Sequence, residues 1–131
     1  AVNYSFRQEP GADNSMGHCK INFPNKFDVY LHDTPSKSLF SENARFHSSG
    51  CVRVEGVAEL VSWLLGPTGG WDQGAVEAVL NSKERLDVRL KQGTPLNTTY
   101  VTDWAKRTGT VSFRADVYQF DAQGLVDTAT A

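Results

Sequence analysis

The sequence has little of several features that mark particular protein classes. Among 131 residues there are two cysteines, Cys19 and Cys51, which are too few for a small domain held together by disulfides. They also lack the Cys-x-x-Cys or His/Cys spacing of a zinc site, so nothing in the sequence supports a metal. We expect no cofactor. The 13 basic and 15 acidic side chains nearly balance, which argues against a nucleic-acid partner or an anionic membrane surface. No apolar run approaches the roughly 20 residues of a membrane-spanning helix.

The N-terminal residues 1–4 have neither the positive charge nor the apolar stretch of a secretory signal. We therefore expect either a cytosolic protein or the mature or truncated part of an exported one. No repeat, low-complexity tract or linker divides the sequence, so we predict a single domain over 1–131, with 121–131 as a flexible tail. A chain of this length can bury a sizeable core.

The first half predicts a β-hairpin between two loops. Residues 5–17 hold several turn-forming residues and indicate a surface loop. Apolar and polar residues then alternate over 19–23 and 27–32, the pattern of half-buried strands, with turn residues between them. Tyr30 and His32 share one face of the second strand, because side chains on a strand repeat every two residues. The polar segment that follows, 33–50, has no clear period, and loops of this length in compact domains are usually functional or disordered.

The second half predicts two helices and further strands, which gives an α+β class rich in β-strands. Apolar residues in 57–64 recur at i, i+3, i+4 and i+7, and Gly66-Pro67 would end this helix. Asp72 is a candidate N-cap for a second, shorter helix. A turn at 106–109 would join the last two strands. Alternating patterns place three strands, at 86–91, 97–104 and 111–120.

The strongest candidate for chemistry is the run Ser48-Ser49-Gly50-Cys51-Val52-Arg53, which follows His32 in the chain. A cysteine nucleophile needs a thiolate or a nearby base, together with donors for an oxyanion. Gly50 lets the backbone turn tightly beside the sulfur. Arg53 adds positive charge that favours a thiolate and can hold a substrate carboxylate. From these residues alone, the alternative is a free cysteine that packs as a small apolar side chain.

These residues resemble the L,D-transpeptidase catalytic domain of bacterial cell-wall enzymes, in the large periplasmic variant of Gram-negative bacteria. The family's pattern is a histidine, a gap similar to the 15 residues between His32 and Ser48, and then Ser/Thr-His-Gly-Cys-x-Arg/Asn. The resemblance implies a β-sandwich with a helix after the cysteine motif. It also covers residues upstream at Arg7–Gly11, Gly17, Lys20 and Phe23–Asn25, and the chain downstream to about Phe120.

The resemblance implies a role for each matching position. Cys51 would be the nucleophile, and His32 would be the general base and then the acid that protonates the leaving amine. The backbone carbonyl of Asp33 would hold the His32 ring, and backbone N–H groups around Gly50 and Cys51 would bind the oxyanion. Four side chains would line the site and orient the substrate, namely Arg53, Tyr30, Ser49 and Ser48.

The implied reaction is acyl transfer on peptidoglycan stem peptides, in the periplasm or envelope of a bacterium. The thiolate would attack the carbonyl of the third, diamino-acid residue and expel D-Ala. The amine of a neighbouring stem would then resolve the thioester and give a 3→3 cross-link. Carbapenems acylate the same cysteine in this family. With water as acceptor the protein would be an L,D-carboxypeptidase or hydrolase, and without activity it would be a peptidoglycan-binding remnant.

Two departures from the family pattern bear on the resemblance. Ser49 stands where most of the family has histidine, which narrows the subtype, because the large periplasmic type tolerates serine there. The family's domain normally begins with strands upstream of the Arg7 region, so a missing N-terminal segment or another chain is an expected partner that would cover a sheet edge. We expect Cys19 to pack in the core, although an oxidising compartment would also permit a Cys19–Cys51 disulfide.

Overall fold

The computed structural model describes residues 3–124, and the chain divides into two units, Ala1–Thr94 and Pro95–Ala131. The first unit contains a three-stranded sheet and two α-helices, and the second contains a two-stranded sheet. These elements define the α+β class that the sequence predicts. The single-domain assignment over 1–131 stays a prediction.

The first unit contains a small mixed sheet. Its strands are β1 (Lys20–Ile21), β2 (Leu31–His32) and β3 (Val52–Arg53), in the spatial order β1-β2-β3. β1 and β2 pair antiparallel, as the predicted hairpin requires, whereas β2 and β3 pair parallel. The long connection between β2 and β3 permits the parallel pairing, because parallel neighbours need a crossover rather than a tight turn.

The two hairpin strands are shorter than their alternating patterns predict, and the Asn25 side chain gives the reason. Its amide nitrogen donates to the carbonyls of Phe23 and Val29 at 3.0 and 2.7 Å. Its amide oxygen accepts the N–H groups of Phe27 and Val29, both at 3.0 Å. Backbone groups that could have extended the ladder are thus bonded to one side chain, which is how asparagine competes with regular structure.

Both predicted helices are present, and they pack against each other. α1 (Val57–Leu65) ends where a short 3₁₀ turn, Gly66–Thr68, begins. α2 (Gln73–Ser82) is capped by Asp72, whose carboxylate accepts the Ala75 N–H at 2.8 Å. The buried apolar core lies on this helix pair, at Val57, Leu65 and Val76.

The predicted strand at 86–91 is wrong. These residues have no ladder partner within residues 3–124, and Leu86 is 52% exposed. Their polar contacts are those of a surface segment: Arg85 pairs with Asp87 at 2.7 Å, and Lys91 donates to the Thr68 carbonyl at 3.2 Å. Alternating apolar and polar residues predict only that one face of a segment is apolar. A strand also needs a neighbouring strand with which to exchange backbone hydrogen bonds.

The second unit is an antiparallel hairpin of β4 (Asp103–Ala105) and β5 (Val111–Phe113). The predicted turn between them is present, with the Lys106 N–H bonded to the Thr110 carbonyl at 2.8 Å. Both strands are shorter than predicted. After β5, Asp116 turns the chain by accepting N–H groups from Phe120 and Ala122, each at 3.0 Å. The predicted tail at 121–131 begins with a turn over 121–124, and its residues 125–131 lie outside the described residues.

Candidate active site

The parallel pairing of β2 and β3 brings the predicted site residues onto one face of the sheet. Leu31 lies opposite Val52 and His32 opposite Arg53. The Val52 N–H donates to the Tyr30 carbonyl at 3.0 Å, so the cysteine motif lies beside the strand that carries the histidine. Side chains two residues apart on a strand point the same way, which places Tyr30 with His32 and Cys51 with Arg53.

These side chains line an open cleft of about 420 Å³ in the first unit. Asp33 and Gly50 do not line it, although both contact residues that do. The predicted residues in the cleft wall are Tyr30, His32, Ser48, Ser49, Cys51 and Arg53.

The His32 ring is buried, with 6% of its surface exposed, and its orientation is fixed by one hydrogen bond. Nδ1 lies 2.5 Å from the backbone carbonyl of Asp33, the partner that the resemblance implies. A carbonyl oxygen only accepts, so Nδ1 carries the proton in this contact. In the neutral ring Nε2 therefore carries the lone pair. This is the tautomer that a general base requires.

Tyr30 contacts the candidate base and the candidate nucleophile. Its ring meets the His32 ring edge-on, with 5.9 Å between centroids. A hydrogen bond with the Cys51 side chain raises the pKa of Tyr30, with smaller contributions from burial and from the Cys51 charge. Lys20 Nζ lies 3.9 Å from the centroid of the Tyr30 ring in a cation–π contact. Tyr30 thus supplies a protonated hydroxyl beside the sulfur.

Ser48 shapes the backbone around Cys51. Its hydroxyl donates to the Cys51 carbonyl at 2.5 Å and accepts the Gly50 N–H at 3.0 Å. Gly50 has φ of 130°, a region open to glycine and strained for other residues. The Gly50 N–H is therefore bonded to Ser48, whereas the Cys51 N–H has no protein acceptor within residues 3–124.

Arg53 fixes the loop that precedes the cysteine motif. One guanidinium nitrogen donates to the His47 carbonyl, and the buried Nε has no hydrogen-bond partner among the described residues. Because both residues line the cleft, the guanidinium presents positive charge at its wall. This arrangement suits the binding of a carboxylate.

The Asp33 side chain lies behind the cleft and is only 7% exposed. Lys37 Nζ lies 2.5 Å from Oδ1, and the His18 N–H donates to Oδ2 at 3.0 Å. Burial by itself opposes ionisation of this carboxyl, but the hydrogen bonds from Lys37 and from backbone N–H groups of His18 and Thr34 outweigh it and lower the pKa of Asp33. The carboxylate is therefore charged, and each of its oxygens accepts a hydrogen bond.

The two cysteines have different surroundings, and both are free thiols. Burial, together with the nearby Asp33 charge, raises the pKa of Cys19 to about 11. Cys19 is therefore a poor nucleophile at neutral pH, whereas Cys51 lines the cleft. Across residues 3–124 the structure gathers no group of three side chains suited to a metal ion. None of the described helices has the length and apolar character needed to cross a membrane.

Three cleft residues were not predicted as site residues: Ser15, Met16 and His47. Ser15 and Met16 come from the loop at 5–17, whose sequence indicates only turns. His47 directly precedes the cysteine motif. It pairs with Glu42 at 2.9 Å on the exposed rim, and its position in the cleft depends on the folded loop.

A cysteine and an imidazole in one cleft, beside a glycine turn, are the groups of a candidate acyl-transfer site. The family model of YkuD, the L,D-transpeptidase catalytic domain, matches residues 2–110. The chain belongs to this family, which confirms the resemblance seen in the motif. It is also 38% identical over 120 residues to a Haemophilus influenzae protein named "Putative L,D-transpeptidase". The alignment covers 92% of this chain and 24% of that protein, so the chain spans about a quarter of the relative's length.

Proposed function

We propose that this chain carries the catalytic centre of a peptidoglycan L,D-transpeptidase of the bacterial envelope, with Cys51 as nucleophile and His32 as general base. The observation that carries the proposal is the hydrogen bond from His32 Nδ1 to the Asp33 carbonyl, in a cleft that Cys51 also lines. It leaves Nε2 as the proton acceptor on the ring. The cellular location, the periplasm of a Gram-negative bacterium, rests on the family resemblance.

In the first half of the reaction, His32 Nε2 takes the proton from the Cys51 thiol. The sulfur attacks the carbonyl carbon of the diamino-acid residue at position three of a tetrapeptide stem, and the carbonyl oxygen becomes an oxyanion. The Cys51 N–H supports its stabilisation, because it has no protein acceptor within residues 3–124. When the C–N bond breaks, the proton on His32 passes to the amine of the leaving D-Ala, and a thioester remains on Cys51.

In the second half, a side-chain amine of a neighbouring stem attacks the thioester and gives up a proton to His32. The C–S bond breaks, the sulfur takes the proton back from His32 so that the thiol is regenerated, and a 3→3 cross-link is formed. Arg53 would bind a stem-peptide carboxylate, and Tyr30 with the serines of the motif would position the donor. Water as acceptor would give the tripeptide instead, the product of an L,D-carboxypeptidase.

The test is intact mass spectrometry of the chain incubated with a tetrapeptide stem, with and without an amine acceptor. We expect an adduct equal to the tripeptide acyl group on the wild type and none on Cys51→Ala. Cys19→Ala is the matched control, because its thiol is half-buried and has a raised pKa; it should form the adduct. A carbapenem serves as a second probe of the same thiol.

Each outcome has a defined meaning. Dimeric product supports transfer, whereas tripeptide alone with the acceptor present supports hydrolysis and contradicts the cross-linking assignment. Absence of an adduct on the reduced, folded wild type contradicts the catalytic proposal for this chain. Binding to isolated sacculi without turnover would then identify a peptidoglycan-binding remnant. An adduct that survives Cys51→Ala contradicts the assignment of the nucleophile.

A further inference from the structure

One wall of the cleft belongs to the N-terminal loop and not to the sheet. Ser15 and Met16 contribute to the lining, together with residues of the cysteine motif. Met16 is half-buried, so its flexible thioether side chain presents an apolar surface to the cleft. The known chemistry of the motif assigns no role to this wall.

The wall has a defined shape because Asn14 organises it. Asn14 is 7% exposed, and its amide nitrogen donates to the Glu9 carbonyl at 3.1 Å. Its amide oxygen accepts the Met16 N–H at 2.9 Å, and its backbone carbonyl accepts the Gly17 N–H at 2.7 Å. Buried, satisfied polar groups of this kind rigidify a loop. The segment that carries Ser15 and Met16 is therefore held in a defined conformation.

The C-terminal end of this wall is attached to Asp33. Gly17, with φ of 60°, packs so closely on the carboxylate that a Cβ would overlap it. The next residue, His18, donates its N–H to Oδ2 at 3.0 Å, while Lys37 holds Oδ1 at 2.5 Å. The backbone carbonyl of the same aspartate accepts the proton on His32 Nδ1. One residue thus joins the loop wall and the candidate base.

Resting on the function proposed above, we propose that Ser15 and Met16 form a specificity wall that contacts the acyl-donor stem peptide. Met16 packs on the aliphatic part of the donor. Asp33 is the positioning residue that keeps this wall and His32 in a fixed relation. Its side chain anchors the wall while its carbonyl orients the base, so substrate fit and base orientation depend on the same residue.

Asp33→Asn tests the coupling with almost no change in volume. Oδ1 faces the Lys37 ammonium and Oδ2 faces the His18 backbone N–H, both donors, while the His18 ring Nδ1 also lies 3.3 Å from Oδ2. Whichever way the asparagine amide is turned, its NH₂ group meets a donor and one contact is lost. Asp87→Asn is the matched control, because that carboxylate is exposed and, within residues 3–124, pairs only with Arg85.

The rate of thioester formation is measured by intact mass as a function of tetrapeptide concentration. For Met16→Ala we expect a roughly tenfold rise in the half-saturating concentration with an unchanged maximal rate. For Asp33→Asn we expect the same rise together with a roughly tenfold fall in the maximal rate. Leu86→Ala, which removes an exposed apolar side chain, should behave as wild type.

Nitrogen NMR of the labelled histidine rings provides a readout that a purely structural role would not move. His32 should be the Nδ1–H tautomer in the wild type and a mixture of tautomers in Asp33→Asn. If Asp33→Asn does not fold, Met16→Ala still decides whether the wall contacts the donor. Unchanged half-saturation in Met16→Ala, or an Asp33→Asn protein with wild-type kinetics and tautomer, overturns the proposal. If the wild type itself forms no thioester, the proposed function fails, and the inference fails with it.

Discussion

Removal of the Ser48 hydroxyl should slow acylation far more than it destabilises the fold. The hydroxyl bridges the Gly50 N–H and the Cys51 carbonyl, at 3.0 and 2.5 Å, across the turn that presents the sulfur. In Ser48→Ala both hydrogen bonds disappear, and Gly50 loses a contact that helps to hold its φ of 130°. The peptide groups on either side of Cys51 then lose their fixed orientation.

The magnitude follows from where the broken bonds lie. A hydrogen bond contributes about 0.5–1.5 kcal/mol net, and the low end applies here because Ser48 and Gly50 are exposed and water can replace the lost partners. We therefore expect a loss of about 1 kcal/mol in the free energy of unfolding. A misplacement of about 1 Å at a reacting group can cost about 100-fold in rate, so acylation should fall by roughly 10- to 100-fold.

The assay combines thermal unfolding with the rate of thioester formation measured by intact mass. Ser48→Thr is the matched variant, because it keeps the hydroxyl and should retain most of the rate. If Ser48→Ala acylates as fast as the wild type, the turn does not preorganise the nucleophile. If Ser48→Thr is as slow as Ser48→Ala, the hydroxyl is not the cause of the effect.

Three further predictions concern the stability of the fold. Gly50→Ala should lower the free energy of unfolding by about 1–3 kcal/mol, because alanine is strained at a φ of 130°; chemical denaturation measures this. Asp72→Ala should cost about 1 kcal/mol by removing the cap on the Ala75 N–H, seen as a fall in the unfolding temperature. Asp33 should stabilise the folded state fully above its ordinary pKa of 3.8 and lose that contribution as the pH falls through its lowered folded-state pKa. Acid titrations of wild type and Asp33→Asn measure the difference.

The first two predictions have control variants, and the third has a defined contradicting outcome. Gly93→Ala adds the same methyl group at a position with open space and no positive φ, and should be nearly neutral. Asp72→Ser retains an oxygen acceptor and should recover most of the helix stability. For the acid titration, the stability gap between wild type and Asp33→Asn should narrow as the pH drops. A gap that widens on acidification contradicts the prediction that the ionised Asp33 carboxylate stabilises the folded state.

Local signals were sufficient for the helices and the turns. The apolar spacing over 57–64 and the Gly66-Pro67 stop placed α1 to within a residue, since helix periodicity and its end signals act within a few positions. Asp72 and the turn at 106–109 were predicted for the same reason. The strand lengths were predicted wrongly, because pairing depends on a neighbouring strand that an alternating pattern does not reveal. The unpaired segment 86–91 demonstrates this.

By itself, the sequence determined the family, the motif that carries Cys51, and the face shared by Tyr30 and His32, because each depends on residue identity or on a period of two. Tertiary structure alone decided that β3 lies parallel to β2 and that Ser15 and Met16 enter the cleft. The contact of His18 with Asp33 spans 15 positions in the chain. Such contacts form only when the backbone folds back on itself, so no local pattern encodes them.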